Sequence, residues 1–445
     1  MDLIVEGGSP LQGEIEIPAD KSLTHRGLML GSLLKQAVTV KADGAGADNY
    51  STAQAMRSLG ANIQEVEGGW FIGEGGLETL SSSDLPIDCG NSGTTIRLLS
   101  GILVGAGIAA SLTGDESLSI RPMARVGKPL RACGGSISGV MIGEKERPPL
   151  SVQRGSFAGG VWEQGVASAQ VKSALLLAGL CAEKEVEVRE PHESRTHTEC
   201  MLKAMGAGIR SSGGAPNRIQ LTAPFIGELK PPTPEFNVPG DISSAAFWLV
   251  AAQLIPNSGL TLRSVGLNSS RDGVLRVLRD LGADLEVKVE GDRWGESIGT
   301  VIIKRKAELP DMDLDISGPI IPTLIDELVC LAALGTGIKG RLTVANAREL
   351  RVKESDRIEE TARLLRAFGA EVEEFDDGFQ VFGPVQLQAA DIDVGTDHRI
   401  ALTGAVLAMA ASGTSHLRNF QIASVSYPDF VEHGTRLGAK FKIDP

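Results

Sequence analysis

The sequence predicts an α/β protein of two similar domains, each holding three copies of one unit built from two helices and short strands. Three observations carry this prediction. An eight-residue phrase recurs six times: MRSLGANI (56–63), LRACGGSI (130–137), LKAMGAGI (202–209), LRDLGADL (278–285), LRAFGAEV (365–372) and the looser GTRLGAKF (434–441). A second series of apolar runs keeps step with it. The chain also has 445 residues, too many for one compact core.

Each phrase reads as the last turn of a helix, a glycine stop, and the start of a strand. The glycines are Gly60, Gly134, Gly206, Gly282, Gly369 and Gly438, separated by 74, 72, 76, 87 and 69 residues. The apolar runs are ADKSLTHRGLMLGSL (19–33), GNSGTTIRLLSGIL (90–103) and ASAQVKSALLLAGL (167–180), followed by GDISSAAFWLVAAQL (240–254), LIDELVCLAALGTG (324–337) and GTDHRIALTGAVLAMA (395–410). They are apolar nearly all round, which predicts buried helices. Strands are expected at GEIEI (13–17), VEVRE (186–190) and TVIIK (300–304). The Pro-rich LKPPTPEFNVPGD (229–241) separates the third unit from the fourth. A second crossing falls at Ile17-Pro18-Ala19-Asp20, so residues 1–18 and 237–445 are expected to form one domain and 19–236 the other.

Composition narrows the function. At 42% hydrophobic and 22% charged, the chain is neither disordered nor collagen-like. Its net charge of −13, without a long basic run, argues against nucleic acid or an anionic membrane as partner. Cys89, Cys133, Cys181, Cys200 and Cys330 are scattered, with no CxxC, so neither a zinc site nor a disulfide framework is expected. The N-terminus lacks the signature of a secretory or transit segment, and Leu98–Leu112 is too short and Gly-broken to span a bilayer. A cytoplasmic soluble protein is expected.

Charge sits at the starts of the predicted helices. Helix N-termini carry partial positive charge and unpaired N–H groups, so several together would hold a polyanion even in an acidic chain. PADKSLTHR sets Lys21, Ser22 and Arg26 at the first start, where two cations call for a bound anion; an ordinary solvated turn is the alternative. GNSGTTIR brings Asn91 as the expected cap, Ser92, and Gly93, which permits close approach to a ligand or merely a tight turn. LSIRPM puts Arg121 before the helix-starting Pro122, ASAQVKS offers Ser168 and Gln170, and SRTHTE adds Arg195. In ELRVKESDR (349–357), Lys353 and Arg357 are four apart and would repel on a helix. An anion would relieve that repulsion, as would Glu354 and Asp356. Asp326 in LIDEL is a candidate partly buried carboxylate at a helix start. Asp397, His398 and Arg399 close the set, with His398 read as structural. So many cations imply more than one phosphate or carboxylate, which suits two small, multiply charged substrates. The nucleotide-loop, nucleophile-elbow and HExxH motifs are missing.

In order and spacing, PADKSLTHR, GNSGTTIRLLSG, SIRPM, ASAQVKSALLLAGL, SRTHTE, PGDISSAAF, IDE, ELRVKESDRI, DHRIA and SYPDF resemble the 5-enolpyruvylshikimate-3-phosphate synthases (3-phosphoshikimate 1-carboxyvinyltransferases), over essentially the whole chain. The resemblance implies βαβαββ units, three per domain, and an active site in the interdomain cleft. It implies enolpyruvyl transfer from phosphoenolpyruvate to the 5-hydroxyl of shikimate 3-phosphate, by a monomer needing no metal or organic cofactor. Lys21, Ser22, Arg26, Ser168, Ala169, Gln170, Arg195, Asp326 and Lys353 would hold shikimate 3-phosphate. Lys21, Gly93, Arg121, Gln170, Arg357 and Arg399 would bind phosphoenolpyruvate. The catalytic set would be Asp326 as base near the 5-hydroxyl, Glu354 as proton donor, and Lys21 and Lys353 beside them. The family's inhibitor glyphosate would compete with phosphoenolpyruvate beside Gly93.

The chain departs from the family pattern in places. Ala19 stands where Gly is usual, Ala169 replaces one subclass's Ser, and Glu349 replaces its Asn. Ser424 and Val425 precede Ser426-Tyr427-Pro428 where many members carry a Lys. Two rivals remain. The UDP-N-acetylglucosamine enolpyruvyl transferases share the fold, but usually show Lys-Asn at Lys21-Ser22 and a reactive Cys where TGDESLSIRP (113–122) has none. A non-catalytic anion-binding repeat protein would have no reason to set Asp326 and Glu354 among arginines.

Overall fold

The computed structural model describes residues 1–305 and 309–444. The chain divides into two compact units. The first comprises Met1–Pro18, Pro239–Gly291 and the chain from Ser297; the second comprises Ala19–Val238 and Asp292–Glu296. The short Asp292–Glu296 excursion has no signal in the sequence. It places Trp294 flat on Phe236, with ring centroids 4.6 Å apart, and its indole N–H donates to Thr233 Oγ1 at 3.0 Å.

Among the described residues, each unit holds three four-stranded sheets of one design, a parallel edge pair followed by two antiparallel neighbours. In the second unit, for example, Ile87–Asp88 runs parallel to Ala110–Thr113, which pairs antiparallel with Lys145–Val152 and, beyond it, Ile137–Ile142. Three sheets take a strand from elsewhere in the chain. Glu235–Asn237 pairs with Val38–Lys41, closing the second unit. In the first unit, Gln12–Glu16 pairs with Gly259–Gly266, and Asp2–Glu6 lies between Thr414–Arg418 and Lys440–Asp444.

The helices, in chain order, are α1 (Lys21–Leu33), α2 (Ala47–Ser58), α3 (Gly93–Ala106), α4 (Ala124–Ala132), α5 (Ala169–Ala182), α6 (His197–Ala204), α7 (Ile242–Leu254), α8 (Gly273–Asp280), α9 (Ile321–Leu324), α10 (Leu328–Leu331), α11 (Arg357–Ala367), α12 (His398–Ala410) and α13 (Phe430–Arg436), apart from a single turn at Glu116–Ser119. As the repeated phrase predicts, all six stop glycines are left-handed, with φ from 77° at Gly282 to 102° at Gly60. A side chain there would be strained, so each helix ends and the chain turns into a strand. Helices α1, α3, α5, α7 and α12 are buried along most of their length. No single helix among the described residues is long and apolar enough to cross a membrane.

The fifth apolar run breaks the expectation. Residues 324–337 do not form one helix: α9 ends at Leu324, Ile325–Glu327 turn, and α10 leaves at about 110°. A helix boundary also refutes one expected geometry. Lys353 and Arg357 do not share a helix, because Arg348–Val352 is a 3₁₀ turn and α11 begins at Arg357. Ser92, not Asn91, caps α3 by accepting from Thr95 N–H at 3.1 Å. Helix α4 begins at Ala124, so Pro122 lies ahead of it.

Small residues allow a close contact between α3 and α5. Gly101 and Gly105, one turn apart on α3, lie directly on the backbone at Ala174 and Ala178, one turn apart on α5. A methyl at Gly101 would collide with the Ala174 carbonyl. Gly101→Ala is therefore expected to lower stability by about 1–3 kcal/mol or more. At Gly404 in α12 the nearest atoms to an added methyl are leucine carbons at 3.4–3.7 Å, ordinary contact. Gly404→Ala should stabilise by roughly 0.5–1 kcal/mol through helix propensity. Urea unfolding of the two variants should give shifts of opposite sign.

Candidate active site

In the second unit the polar side chains gather at the starts of α1, α3 and α5. Asp20 caps α1, accepting from Leu23 N–H at 2.8 Å, which leaves Lys21 at the first helical position. Lys21 Nζ meets Asp48 Oδ2 at 3.1 Å. The neutralisation expected from a bound anion is thus supplied in part by α2. Arg26 is only 4% exposed. It donates from Nε to Thr198 Oγ1 at 2.7 Å, from Nη2 to Ser173 Oγ at 3.0 Å and from Nη1 to the Ser22 carbonyl at 2.9 Å. Burial pulls its guanidinium down to about 10, so it stays charged at neutral pH. Beside it burial pushes the His25 imidazole down to about 3, leaving a neutral ring whose Nδ1 lies 2.6 Å from Thr52 Oγ1.

At α3, Gly93 is the first helical residue, and an added methyl would meet Arg97 Nη1 at 2.8 Å and Arg121 Nη1 at 3.3 Å. Arg121 donates to Asn91 Oδ1 at 2.7 Å, and Asn91 Nδ2 in turn donates to Asp115 Oδ2 at 2.8 Å. Gln170 is held from both sides, accepting from Arg97 Nη1 at 2.7 Å and donating to Thr94 Oγ1 at 3.1 Å. Ser168 precedes α5 in extended conformation, and its hydroxyl makes no capping bond; Ala169 opens the helix.

Arg195 lies in the turn before α6, anchored through its neighbour. Ser194 donates from its N–H and hydroxyl to the two oxygens of Glu190, at 2.9 and 2.7 Å. Lys172, fully buried, donates to the Ser194 carbonyl at 3.2 Å and pairs with Glu190 at 3.0 Å and Glu199 at 2.6 Å.

The first unit builds a second cluster around Arg357, which is 1% exposed. Asp397 Oδ2 meets its Nε at 2.8 Å, Glu354 Oε2 its Nη2 at 2.6 Å, and Asp326 Oδ1 its Nη1 at 3.2 Å. Lys353 Nζ lies 3.5 Å from Asp326 Oδ1 and 3.7 Å from Glu349 Oε1. Asp397 also caps α12, its Oδ1 accepting from Arg399 N–H at 2.9 Å, and Ser355 donates to its Oδ2 at 3.0 Å. Burial alone would lower the Arg357 guanidinium, but Asp397, Glu354 and Asp326 together raise it above its ordinary value. Burial would raise the Asp397 carboxyl, yet Arg357 and His398 hold it below the ordinary carboxylate value.

Asp326, Lys353, Glu354 and Arg357 therefore meet in one cluster, and Arg399 lies in the first turn of the helix that Asp397 caps. Lys21, Ser22 and Arg26 share the opening of α1, while Gly93, Arg121 and Gln170 are tied by the Arg97 and Asn91 bonds. The sequence reading missed Arg97, Asp48 and the role of Asp397. Arg97 was within reach, because it stands four residues after Gly93 on the same helix face.

Asp397 gives a stability prediction with a definite sign. Its folded value is depressed from 3.8, so its contribution is full above the unfolded value and lost as pH falls through the folded one. Asp397→Asn leaves Arg357 short of a buried partner and should cost on the order of 3–5 kcal/mol. The loss, read from urea unfolding at a series of pH values, should be constant from neutral pH down to about pH 4 and shrink below it. A loss that stays constant to pH 3 would contradict the pairing.

Three comparisons bear on these clusters. The EPSP synthase (3-phosphoshikimate 1-carboxyvinyltransferase) family model matches residues 5–433. The 3-phosphoshikimate 1-carboxyvinyltransferase of Synechococcus sp. (strain JA-3-3Ab) is 46% identical over 429 residues, covering 96% of this chain and 94% of that protein. That of Bacillus subtilis (strain 168) is 41% identical over 431 residues, covering 97% and 98%. Among solved structures, EPSP synthase from Acinetobacter baumannii superposes with a TM-score of 0.86 at 35% identity, covering all of both chains. The enolpyruvyl transferase NikO from Streptomyces tendae reaches 0.78 at 17% identity over 99% and 98% of the two chains, a likeness of fold. With full-length relatives well above 30% identity and the family model spanning nearly the whole chain, this protein belongs to the EPSP synthase family, the 3-phosphoshikimate 1-carboxyvinyltransferases.

Proposed function

We propose that the chain transfers the enolpyruvyl group of phosphoenolpyruvate to the 5-hydroxyl of shikimate 3-phosphate by addition and elimination, a transferase step of the shikimate pathway to aromatic amino acids. Its substrates are these two small anions, and it works as a cytoplasmic monomer. The observation that carries the mechanism is the pair of carboxylates, Asp326 and Glu354, held at one buried guanidinium beside Lys353.

Addition begins with a proton delivered to the methylene carbon of phosphoenolpyruvate, which leaves C2 electron-poor. The 5-hydroxyl oxygen bonds to C2 as Asp326 takes its proton, giving a tetrahedral ketal phosphate. Elimination breaks the C2–O bond to phosphate and removes a proton from the new methyl group, restoring the enol double bond. The steps balance without a metal or organic cofactor.

Lys21, Ser22, Arg26, Ser168, the Ala169 N–H, Gln170 and Arg195 take shikimate 3-phosphate, with Asp326 and Lys353 beside its hydroxyl. Lys21, Gly93, Arg121, Gln170, Arg357 and Arg399 take phosphoenolpyruvate. Arg357 already faces three carboxylates, and a substrate carboxylate can reach Nη2 by exchanging with one of them. Glu354 is the most exposed of the three, at 25%. A substrate carboxylate that takes Nη2 releases Glu354 from its cation, which raises the affinity of Glu354 for a proton and readies it as donor. The clustered cations meanwhile stabilise the spreading negative charge.

The primary test is phosphate release from phosphoenolpyruvate that depends on shikimate 3-phosphate. A non-catalytic binding protein would release none, and an enzyme of the UDP-N-acetylglucosamine class would need that acceptor instead. Asp326→Asn and Glu354→Gln nearly preserve shape, so kcat should fall by at least about 10²-fold with smaller changes in KM. A near-normal kcat in either would remove that residue from the catalytic set.

Gly93→Ala should act through the guanidiniums its methyl presses on, Arg97 and Arg121. It should raise KM for phosphoenolpyruvate by on the order of tenfold, the equivalent of about 1–3 kcal/mol of overpacking. The inhibition constant for glyphosate should rise with it, in curves taken at fixed phosphoenolpyruvate.

A further inference from the structure

Asp326 and Glu327 are adjacent carboxylates with opposite surroundings. Asp326 faces Lys353 and Arg357. Glu327 is 1% exposed and faces the other way. Its Oε1 accepts a short hydrogen bond from Ser243 Oγ, at the start of α7, and an ion pair from Arg271 Nη2 at 3.2 Å. Arg271, itself 3% exposed, also donates to Ser243 Oγ at 2.6 Å and lies 3.3 Å from Asp241 Oδ1. All of these groups belong to the first unit.

Both carboxylates fall in the turn that interrupts the apolar run. Glu327 N–H donates to the Leu324 carbonyl at 2.9 Å, and its own carbonyl accepts from Leu331 N–H at 2.9 Å, so its backbone closes α9 and opens α10. Had the run continued as one helix, residues 326 and 327 would point about 100° apart and advance together with the helix axis. The break instead lets one carboxylate go inward and the other toward Lys353. The start of α8 is pressed against the end of α9, just ahead of this turn, since a methyl on Gly273 would strike the Thr323 and Leu324 side chains.

A stability role explains the arrangement poorly. Glu327 Oε2 is buried without a hydrogen-bond partner among the described residues, and a buried ion pair seldom outperforms apolar packing of the same volume. What the Ser243 and Arg271 contacts do achieve is to fix the orientation of the turn. We propose that Glu327 is a positioning residue, locked by Ser243 and Arg271 so that the broken helix aims Asp326 at Lys353 and Arg357. This rests on reading Asp326 as the base for the substrate hydroxyl.

The test is a double-mutant cycle in the full-length enzyme, assayed with shikimate 3-phosphate and phosphoenolpyruvate, using Asp326→Asn, Glu327→Gln and the double variant. Since a misplacement of about 1 Å can cost about 10²-fold, Glu327→Gln should lower kcat by about tenfold or more. KM for both substrates should stay within about threefold, and in the Asp326→Asn background the same change should cost under about twofold. Ser243→Ala, which removes one donor and leaves the buried charges paired, should show the same pattern more weakly; it carries the test if Glu327→Gln fails to fold. A wild-type kcat in a folded Glu327→Gln protein would overturn the proposal, as would a loss that multiplies undiminished onto Asp326→Asn. A near-normal kcat in Asp326→Asn alone would instead remove Asp326 as base, and the positioning role with it.

Discussion

A helix buried on nearly every side can carry charge only where its backbone ends. That constraint organises both units. Helices α1, α3, α5 and α12 are apolar along their length and give up their first turn to polar groups, because only there do unpaired N–H groups and a favourable dipole offset the cost of leaving water. Asp20, Ser92 and Asp397 accept from those N–H groups as caps of α1, α3 and α12, and Asp241 does the same at α7. The cations stand immediately behind or beside the caps. An acidic chain thereby gathers cations without a basic surface, and neighbouring carboxylates balance Lys21, Lys172, Lys353 and Arg357 locally.

Arg357 shows how far that balance goes. Three carboxylates surround one buried guanidinium, so the cluster carries net negative charge and keeps it when Lys353 is counted. Such a site is preorganised rather than empty. On the proposed function, an arriving substrate carboxylate competes with those already in place, so that its binding at Nη2 is an exchange of anions. Exchange keeps every state of the site hydrogen-bonded, which avoids the penalty of an unpaired charge in a dry environment.

Much of this was legible in the chain. The six stop glycines were readable because a left-handed turn admits almost no other residue, and all six have that conformation. The buried helices were readable because apolarity all round has few other meanings. What escaped were features set by contacts distant in sequence. The break at Ile325–Glu327 sits in a run with helical periodicity and is held by Ser243 and Arg271, 84 and 56 residues away. The capping error at Asn91 has a similar source: Asn and Ser cap equally well alone, and Asp115 with Arg121 claims the Asn side chain first. The expected repulsion between Lys353 and Arg357 assumed a helix that begins only at Arg357. As for the site itself, residue types at helix starts suggested polyanion binding, while the carboxylate partners that tune them, Asp48 and Asp397, emerge only from packing.

The strand that begins the chain bears on how the protein is made. Asp2–Glu6 lies between two of the last strands to be synthesised, with Asp2 opposite Asp444. The Ala19–Val238 segment is uninterrupted apart from five later residues, so it can fold on the ribosome while the first eighteen residues wait for their partners. At about 5–20 residues per second the wait of Asp2–Glu6 is on the order of 20–90 s, and that of Gln12–Glu16, whose partner is Gly259–Gly266, is roughly half as long; until then each strand is unpaired and needs protection from pairing elsewhere. The same register sets Asp2–Glu6 beside Lys440–Asp444, about 4.7–4.9 Å apart in the hydrogen-bonding direction. Joining them through a short linker and opening the chain at Val238–Pro239 would give a permuted gene in which each unit is encoded almost in one piece, and the waiting strands would emerge beside the partners that complete them.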